Sequence, residues 1–234
     1  MTARAAVVVF PGSNCDQDCV RGWKAVTGLS ADLVWHKETS LPDYDLVIVP
    51  GGFSFGDYLR CGAIARFSPV MAEVARLAGR GSLVLGICNG FQILTEAGLL
   101  PGALGRNRDL RYLCLDVHLR VENAGTAFTG GYRPGQVIRI PISHGEGGYS
   151  LSPREHRRLV DNGQVVFRYC APDGTVAPGQ APNGSLDNIA GIINGRGNVL
   201  GLMPHPERLA EEELGGTDGR ALFSSVLAAM KGGL

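Results

Sequence analysis

Apolar runs of strand length recur along the first half of the chain, at Ala5–Phe10, Asp32–Trp35, Leu46–Val49 and Leu83–Ile87, and the stretches between them are long enough to hold crossover helices. Runs rich in Val, Ile and Leu suit strands covered on both faces, and strand-crossover-strand alternation builds a parallel sheet. Helices are predicted near Asp16–Val26 and Pro69–Leu77, and a third from Asn89 to Ala97, ended by Gly98. After Pro101 the pattern changes. Strand-like segments follow one another at Tyr112–Val121, Val137–Ile142, Val165–Tyr169, Ile189–Ile193 and Val199–Met203, which predicts antiparallel or mixed pairing in this half. Thr217 or Asp218 is placed to cap a last helix through Met230, with Leu222, Phe223, Val226 and Leu227 on its buried side. The stretch Ala171–Asn188 is rich in Pro, Gly and Asn; because strands follow it, it reads as a long surface loop and not as an interdomain linker. The fold class is therefore α/β, with a central, mainly parallel sheet and an additional strand-rich, partly antiparallel portion in the C-terminal half.

Length and charge narrow the range of functions. The 234 residues contain no low-complexity run or charged block, so one domain over 1–234 is the economical division. Lys plus Arg and Asp plus Glu number 22 each, and a net charge of zero gives no long-range attraction to nucleic acid or to an anionic membrane. No stretch approaches membrane-spanning length. Two basic clusters remain, Arg106, Arg108 and Arg111, and Arg154, Arg157 and Arg158; either suits a docking face for a partner or a phosphate-bearing substrate, and the second also reads as the solvated face of a polar helix. The six cysteines lack the paired short spacings of a zinc site, and Cys15 and Cys19 have no histidine near them in sequence, so metal binding there is not expected. Met1-Thr2-Ala3-Arg4 ahead of Ala5–Phe10 offers too short an apolar run for a signal peptide, and the expected compartment is the reducing cytoplasm.

Candidate chemistry starts where the buried-strand run Leu83–Ile87 stops at Cys88 and a helix-compatible run begins immediately after it. Such a junction holds one side chain up at a sharp turn, and Gly86 and Gly90 leave room for neighbouring backbone, the steric basis of a Gly-x-nucleophile-x-Gly elbow. A thiol at a helix N-terminus sits beside unpaired N–H groups and the positive end of the dipole, which favours its thiolate. Cys88 is thus a candidate nucleophile; a small apolar residue buried in a turn is the plainer alternative. Cysteine catalysis needs a base, and the base needs a third group to hold its ring. Two histidines have a carboxylate at a fixed offset: His205 with Glu207 in Pro204-His205-Pro206-Glu207, and His144 with Glu146 in Ser143-His144-Gly145-Glu146-Gly147. Proline restricts the backbone of the first, so His205 and Glu207 are predicted to project to one side like alternate strand residues, although a rigid exposed loop has the same sequence signature. Glycine loosens the second, which places His144 and Glu146 on a loop lining the pocket or in a plain turn after a strand. His36, His118 and His156 have no comparable context and read as structural or surface residues.

These residues resemble the class I glutamine amidotransferases, whose Gly-x-Cys-x-Gly-x-Gln elbow pairs with a distant His-Pro-Glu; both patterns are intact here. Longer strings, Phe10–Asp16, Gly51–Arg60, Ser143–Gly147, Asn183–Ser185 and Pro204–Arg208, are similar to the group in that family that provides the glutaminase subunit of phosphoribosylformylglycinamidine (FGAM) synthase, and they run in order along almost the whole chain. The resemblance implies a flavodoxin-like sandwich forming one glutamine amidotransferase type 1 domain. It implies Cys88 as nucleophile, His205 and Glu207 completing a triad, Gly52 and Asn89 offering backbone N–H groups to the oxyanion, and Gln92 touching the bound glutamine. His144 and Glu146 would line the same substrate site. Fixed donors suit amide hydrolysis, where negative charge develops on oxygen. Gly51 and Gly52 follow the strand Leu46–Val49, so bare backbone can approach substrate there.

These implied roles predict hydrolysis of L-glutamine to glutamate and ammonia through a γ-glutamyl thioester on Cys88, with His205 taking the thiol proton, protonating the departing ammonia and activating water. The resemblance further implies that ammonia passes to a separate synthetase subunit, with or without a small bridging subunit, for purine biosynthesis. ATP and magnesium are expected on that partner. This chain has no Gly-x-x-x-x-Gly-Lys-Ser/Thr loop, and no cofactor or metal of its own is expected. Three rivals stand beside this reading: the glutaminase of another amidotransferase complex, a cysteine amidase or peptidase on the same elbow, and an inactive binding subunit. Gln92 with the Gly51-Gly52 loop suits a small polar amino acid better than an extended peptide, and Cys88, His205 and Glu207 all being present speaks against inactivity.

Overall fold

The computed structural model describes residues 3–232, so Met1 and Thr2 of the predicted opening segment lie outside the described residues. The apolar runs form strands, and the central ones bury both sides: every position of Leu46–Val49 is buried, as is all of Leu83–Ile87 after its first residue, whereas Ala31–Trp35 is an edge strand that leaves Leu33 and Trp35 exposed. In chain order the elements are β1 (Ala5–Val9), α1 (Asp16–Thr27), β2 (Ala31–Trp35), β3 (Leu46–Val49), α2 (Pro69–Gly79), β4 (Leu83–Ile87), α3 (Asn89–Glu96), β5 (Ala103–Gly105), β6 (Leu113–Val121), β7 (Val137–His144), β8 (Gly148–Ser150), α4 (Pro153–Asp161), β9 (Val165–Cys170), β10 (Ile189–Ile193), β11 (Val199–Leu202) and α5 (Arg220–Met230). The predicted strands are all present, with ends moved by a residue or two. The short strands β5 and β8 carry too few apolar positions to show in the pattern.

Among the described residues, nine strands form one sheet in the order β2-β1-β3-β4-β11-β10-β9-β6-β7, and β5 pairs with β8 in a separate two-stranded sheet. The strands β2, β1, β3, β4 and β11 run parallel. From β11 onward the pairing with β10, β9, β6 and β7 is antiparallel, as the change of pattern after Pro101 predicts. What positions the site is the return of the last strand: β11 enters the parallel part beside β4 and sets Leu202 opposite Ile87. Two chain segments more than a hundred residues apart therefore end side by side at the carboxyl edge of the sheet, where open α/β sheets place their ligand crevices.

Helices α1 and α5 pack on each other through Trp23 and Phe223, whose buried rings meet edge-on at 6.4 Å. Leu222, Phe223 and Val226 are buried as predicted, with Leu227 packed at the margin of the core. The predicted cap of α5 is not formed. Its N-cap is Gly219, without a side-chain cap, because Asp218 is committed to the β7 side: its carboxylate accepts the Arg139 N–H at 2.7 Å and its carbonyl accepts the Tyr132 hydroxyl at 3.0 Å. Helix α4 is capped by Ser152, which accepts the Glu155 N–H, and it exposes Arg154, Arg157 and Arg158 to solvent. The stretch Ala171–Asn188 is less superficial than its composition predicts, since Ala181, Asn183, Ser185 and Asn188 are buried. Among the described residues no helix is long and apolar enough to cross a membrane.

Candidate functional site

Strand β4 ends at Ile87 and α3 begins at Asn89, leaving Cys88 alone at the turn with φ 51° and ψ −107°. A residue with a β-carbon is strained at positive φ, and the strain is what holds the sulfur out of the turn. The Cys88 N–H donates to the Leu202 carbonyl at 2.8 Å, so the pairing of β4 with β11 continues through this residue. Its Sγ lies 3.7 Å from the Ser143 carbonyl oxygen at the end of β7.

His205 follows β11 and is anchored by its N–H, which donates to the Pro141 carbonyl on β7 at 2.9 Å. Its ψ of 84° is the non-helical backbone that a following proline requires. Beyond it the expectation of strand-like alternation is corrected. Pro206–Leu209 coil into a single 3-10 turn, and the turn rather than an extended chain carries Glu207 back to the ring, Oε1 to Nδ1 2.6 Å. Both residues are buried. Burial opposes charge on His205, but the Glu207 carboxylate and the Cys88 and Cys15 sulfurs outweigh it and hold the imidazole well above its ordinary range. The His205 ring and Cys88 meet over Gly51: a β-carbon there would stand 2.8 Å from His205 Cε1, 3.1 Å from Cys15 Sγ and 3.4 Å from Cys88 Cβ.

Gly52 has φ 152° and bridges to Ser13, and a β-carbon on it would come within 2.8 Å of the Gly12 carbonyl oxygen. Among the described residues no acceptor takes its N–H. The Asn89 N–H stands in the first turn of α3, where no intrahelical acceptor exists. The Asn89 side chain is fully buried and braces the loop that carries Gly52: its Oδ1 accepts the Ser54 N–H at 3.1 Å, and its Nδ2 donates to Asp57 Oδ1 at 3.1 Å and to Gln92 Oε1 at 2.9 Å. Gln92 is likewise buried, and its Nε2 donates to the Glu146 carbonyl. In this structure its amide ties α3 to the loop after β7.

His144 is buried at the end of β7, with Nδ1 3.1 Å from Asn107 Oδ1. Asn107 also accepts the Gly147 N–H at 3.0 Å and donates to the His144 carbonyl at 2.8 Å, while Asn183 donates to the Gly147 carbonyl at 2.8 Å. These two asparagines supply the rigidity that the glycines remove. Asn183 lies in one of the strings noted above; Asn107 is a loop asparagine with no local signal, and sequence reasoning missed it. The Glu146 carboxylate is half-buried, 3.5 Å from the Cys61 N–H and 3.9 Å from Arg106 Nε. Burial first, and the His205 charge second, push His144 down to about 4 from 6.5. Between those values the folded protein binds fewer protons at His144 than the unfolded chain does, so lowering the pH across that window destabilises the fold, by up to about 3 kcal/mol. The raised Asp57 carboxyl, desolvated near Glu146, acts in the opposite direction at the acid end. His144→Gln is expected to flatten the fall in melting temperature between pH 6.5 and pH 4; an unchanged slope would contradict a neutral buried ring.

One neighbour in the site runs against the sequence reading. Cys15, remote from every histidine in the chain order, is carried by the turn after β1 to His205, and a ligand atom each from Cys15, His205 and Glu207 lie within 4.8 Å of one another. Arg208 Nη2 donates to Cys15 Sγ at 3.0 Å.

Residues 2–215 match the family described as CobB/CobQ-like glutamine amidotransferase domain. A relative from Gloeobacter violaceus, phosphoribosylformylglycinamidine synthase subunit PurQ, is 59% identical over 224 residues, covering 96% of this chain and 97% of that protein. The protein of the same name from Moorella thermoacetica is 58% identical over 221 residues, covering 94% of each. A chain in the solved structure of PurLQS from Thermotoga maritima superposes with a TM-score of 0.83 at 45% identity, covering 98% of this chain and all of that one.

Proposed function

Because the chain belongs to the CobB/CobQ-like glutamine amidotransferase family, we propose that it is the glutaminase subunit of phosphoribosylformylglycinamidine synthase, as its relatives named PurQ are subunits of that enzyme. It hydrolyses L-glutamine and delivers the ammonia to a synthetase subunit that makes FGAM for purine biosynthesis. The observation that carries this reading is the pairing of β4 with β11, which sets the Cys88 elbow beside the His205–Glu207 pair.

The geometry supports a part for each residue. Glu207 accepts at Nδ1 of His205, which leaves Nε2, buried and without a hydrogen-bond partner among the described residues, as the nitrogen to take the Cys88 proton. The sulfur attacks the side-chain amide, and negative charge forms on its oxygen within reach of the Gly52 and Asn89 N–H groups, where fixed donors are worth about 3 kcal/mol each. The imidazolium returns its proton to the leaving ammonia; the neutral ring then draws a proton from water, which opens the thioester. Gln92, His144 and Glu146 shape the substrate side of the cavity, Gln92 by fixing the 144–148 loop against α3. The chain works as one amidotransferase domain over 1–234. ATP and magnesium belong to the synthetase partner, joined directly or through a small bridging subunit, and the six cysteines, all free, suit the reducing cytoplasm.

The test is glutamate release from free glutamine, measured for the chain alone and with the synthetase, formylglycinamide ribonucleotide and ATP. Strong stimulation by the partner is expected; no glutamate under either condition would favour an inactive binding subunit. Cleavage of casein in preference to glutamine would favour a peptidase. Glu207→Gln should lower glutaminase turnover roughly ten- to hundredfold less than loss of the nucleophile does, since it orients and charges the base without forming a bond to substrate. Equal losses for the two variants would contradict that division of roles.

A further inference from the structure

We propose that Phe53 and Tyr112 form an aromatic roof over Cys88 that sets the size of molecule able to reach the sulfur. The two rings stack with their centroids 6.4 Å apart and their planes 29° from parallel. Nothing in the proposed hydrolysis uses either side chain.

The stack joins the two segments that flank the nucleophile. On one side Phe53 follows Gly51 and Gly52, and a β-carbon on Gly51 would stand 3.4 Å from Cys88 Cβ. On the other, the Ser143 carbonyl oxygen lies 3.7 Å from Cys88 Sγ, and the Ser143 hydroxyl is 2.8 Å from the Tyr112 hydroxyl. That hydroxyl contact is a cross-strand diagonal: Cys114 on β6 faces Ser143 on β7, and Tyr112, two residues before Cys114, shares its face. The Tyr112 ring also reaches the glycine loop after β7, since a β-carbon on Gly145 would come 3.7 Å from its Cδ2. Exposure gives the order from solvent inward. Phe53 is 43% and Tyr112 52% exposed, whereas Cys88 between the same two segments is 5% exposed, with Gln92, His144 and His205 buried around it.

One aromatic stack and one hydroxyl contact, both half in water, are modest interactions, and exposed side chains change rotamer within nanoseconds. The roof therefore parts readily for a narrow group, while a broad one needs both rings displaced together. On the glutaminase reading, it admits the side-chain amide of a free amino acid and turns away the same amide in a polypeptide, whose chain continues on both sides of the α-carbon. That consequence rests on the proposed function; the size limit at the sulfur does not.

Access to the sulfur is measured without turnover, by alkylating the full chain with narrow iodoacetamide and, separately, with broad, flat N-phenylmaleimide. Both reagents are uncharged, and mass spectrometry follows Cys88 apart from the other free cysteines. Each rate is divided by that reagent's rate with free cysteine, and the maleimide-to-iodoacetamide ratio at Cys88 is compared among variants. Tyr112→Ala, which removes the stack and the hydroxyl contact, is expected to raise the ratio roughly tenfold or more, and Phe53→Ala, which removes the stack alone, about three- to tenfold. Tyr112→Phe keeps the stack and should raise it less than Tyr112→Ala does. The double alanine variant should add little to Tyr112→Ala, because both changes break the one stack. A ratio in Tyr112→Ala unchanged from wild type overturns the proposal, whether the two rates stay put or rise together, since a shared rise means that the elbow itself has loosened. Should Tyr112→Ala misfold, Phe53→Ala decides from the opposite segment by the same criterion. If the chain releases no glutamate from glutamine, the ratio still tests the roof.

Discussion

Cys88→Ala is expected to lower glutamine-dependent FGAM synthesis at least about 10³-fold while synthesis from added ammonium salt continues at the wild-type rate. The loss is large because no other sulfur occupies the elbow: Cys15, whose sulfur also stands over Gly51, approaches from the turn after β1 and does not lie at the N-terminus of α3. The selectivity follows from where the contacts of Cys88 go. Its backbone N–H, which the substitution leaves in place, bonds to Leu202, and its Sγ, 3.7 Å from the Ser143 carbonyl and beside His205, takes no part in the strand pairing, so removing the sulfur leaves the pairing of β4 and β11 intact. A synthetase site on another subunit is then undisturbed. The measurement is a pair of initial rates on the assembled enzyme, one with glutamine and one with ammonium. Residual glutamine use near the wild-type rate would remove Cys88 from the mechanism; loss of both rates would mean that the residue supports the assembly instead.

Gly90→Ala is expected to be the most damaging change to the fold at the elbow. A β-carbon at that position would lie 1.8 Å from the Val49 carbonyl oxygen and 2.6 Å from its carbonyl carbon, both backbone atoms of β3 that cannot turn aside as a side-chain tip would. Either α3 lifts from the sheet or β3 shifts, and each reopens packing around Phe91, Ile93 and Leu94, all fully buried. The cost should be about 3 kcal/mol or more, a fall of roughly 6–12 °C in melting temperature for a chain of this size. Gly79→Ala is the control, because its β-carbon would meet nothing within 4 Å at the end of α2. It should be neutral or slightly stabilising, by up to about 1 kcal/mol. Similar melting temperatures for the two variants would contradict the close approach of α3 to β3. Because the same approach sets the height of Cys88, any folded Gly90→Ala protein should also lose glutaminase activity.

The elbow was legible because its constraints are local. A fully apolar strand, a small residue on each side and a helix-forming run fix a turn whatever else the chain does, and Ile87-Cys88-Asn89 folds as that pattern requires. His205 and Glu207 were legible as a pair for the same reason, although the chain solved the spacing with a 3-10 turn in place of alternation. Proline permits both routes, and the packing of the turn against α1 chose between them. The cap of α5 misled for the opposite reason: Asp218 has the chemistry of a cap, but Arg139 and Tyr132, about eighty residues earlier in the chain, engage its polar groups.

Local pattern alone fixed the strand and helix periods, the cysteine at its strained turn, and the carboxylate that holds the imidazole, since each depends on covalent neighbours and on the two- or 3.6-residue repeat of side chains. Only the tertiary structure decided that β11 would lie beside β4, that Asn107 and Asn183 would stiffen a glycine loop, and that Cys15 would stand against His205. Those contacts join segments at no fixed offset along the chain. Their free energy comes from burying whole faces of the sheet together, a property that no short stretch of residues possesses alone.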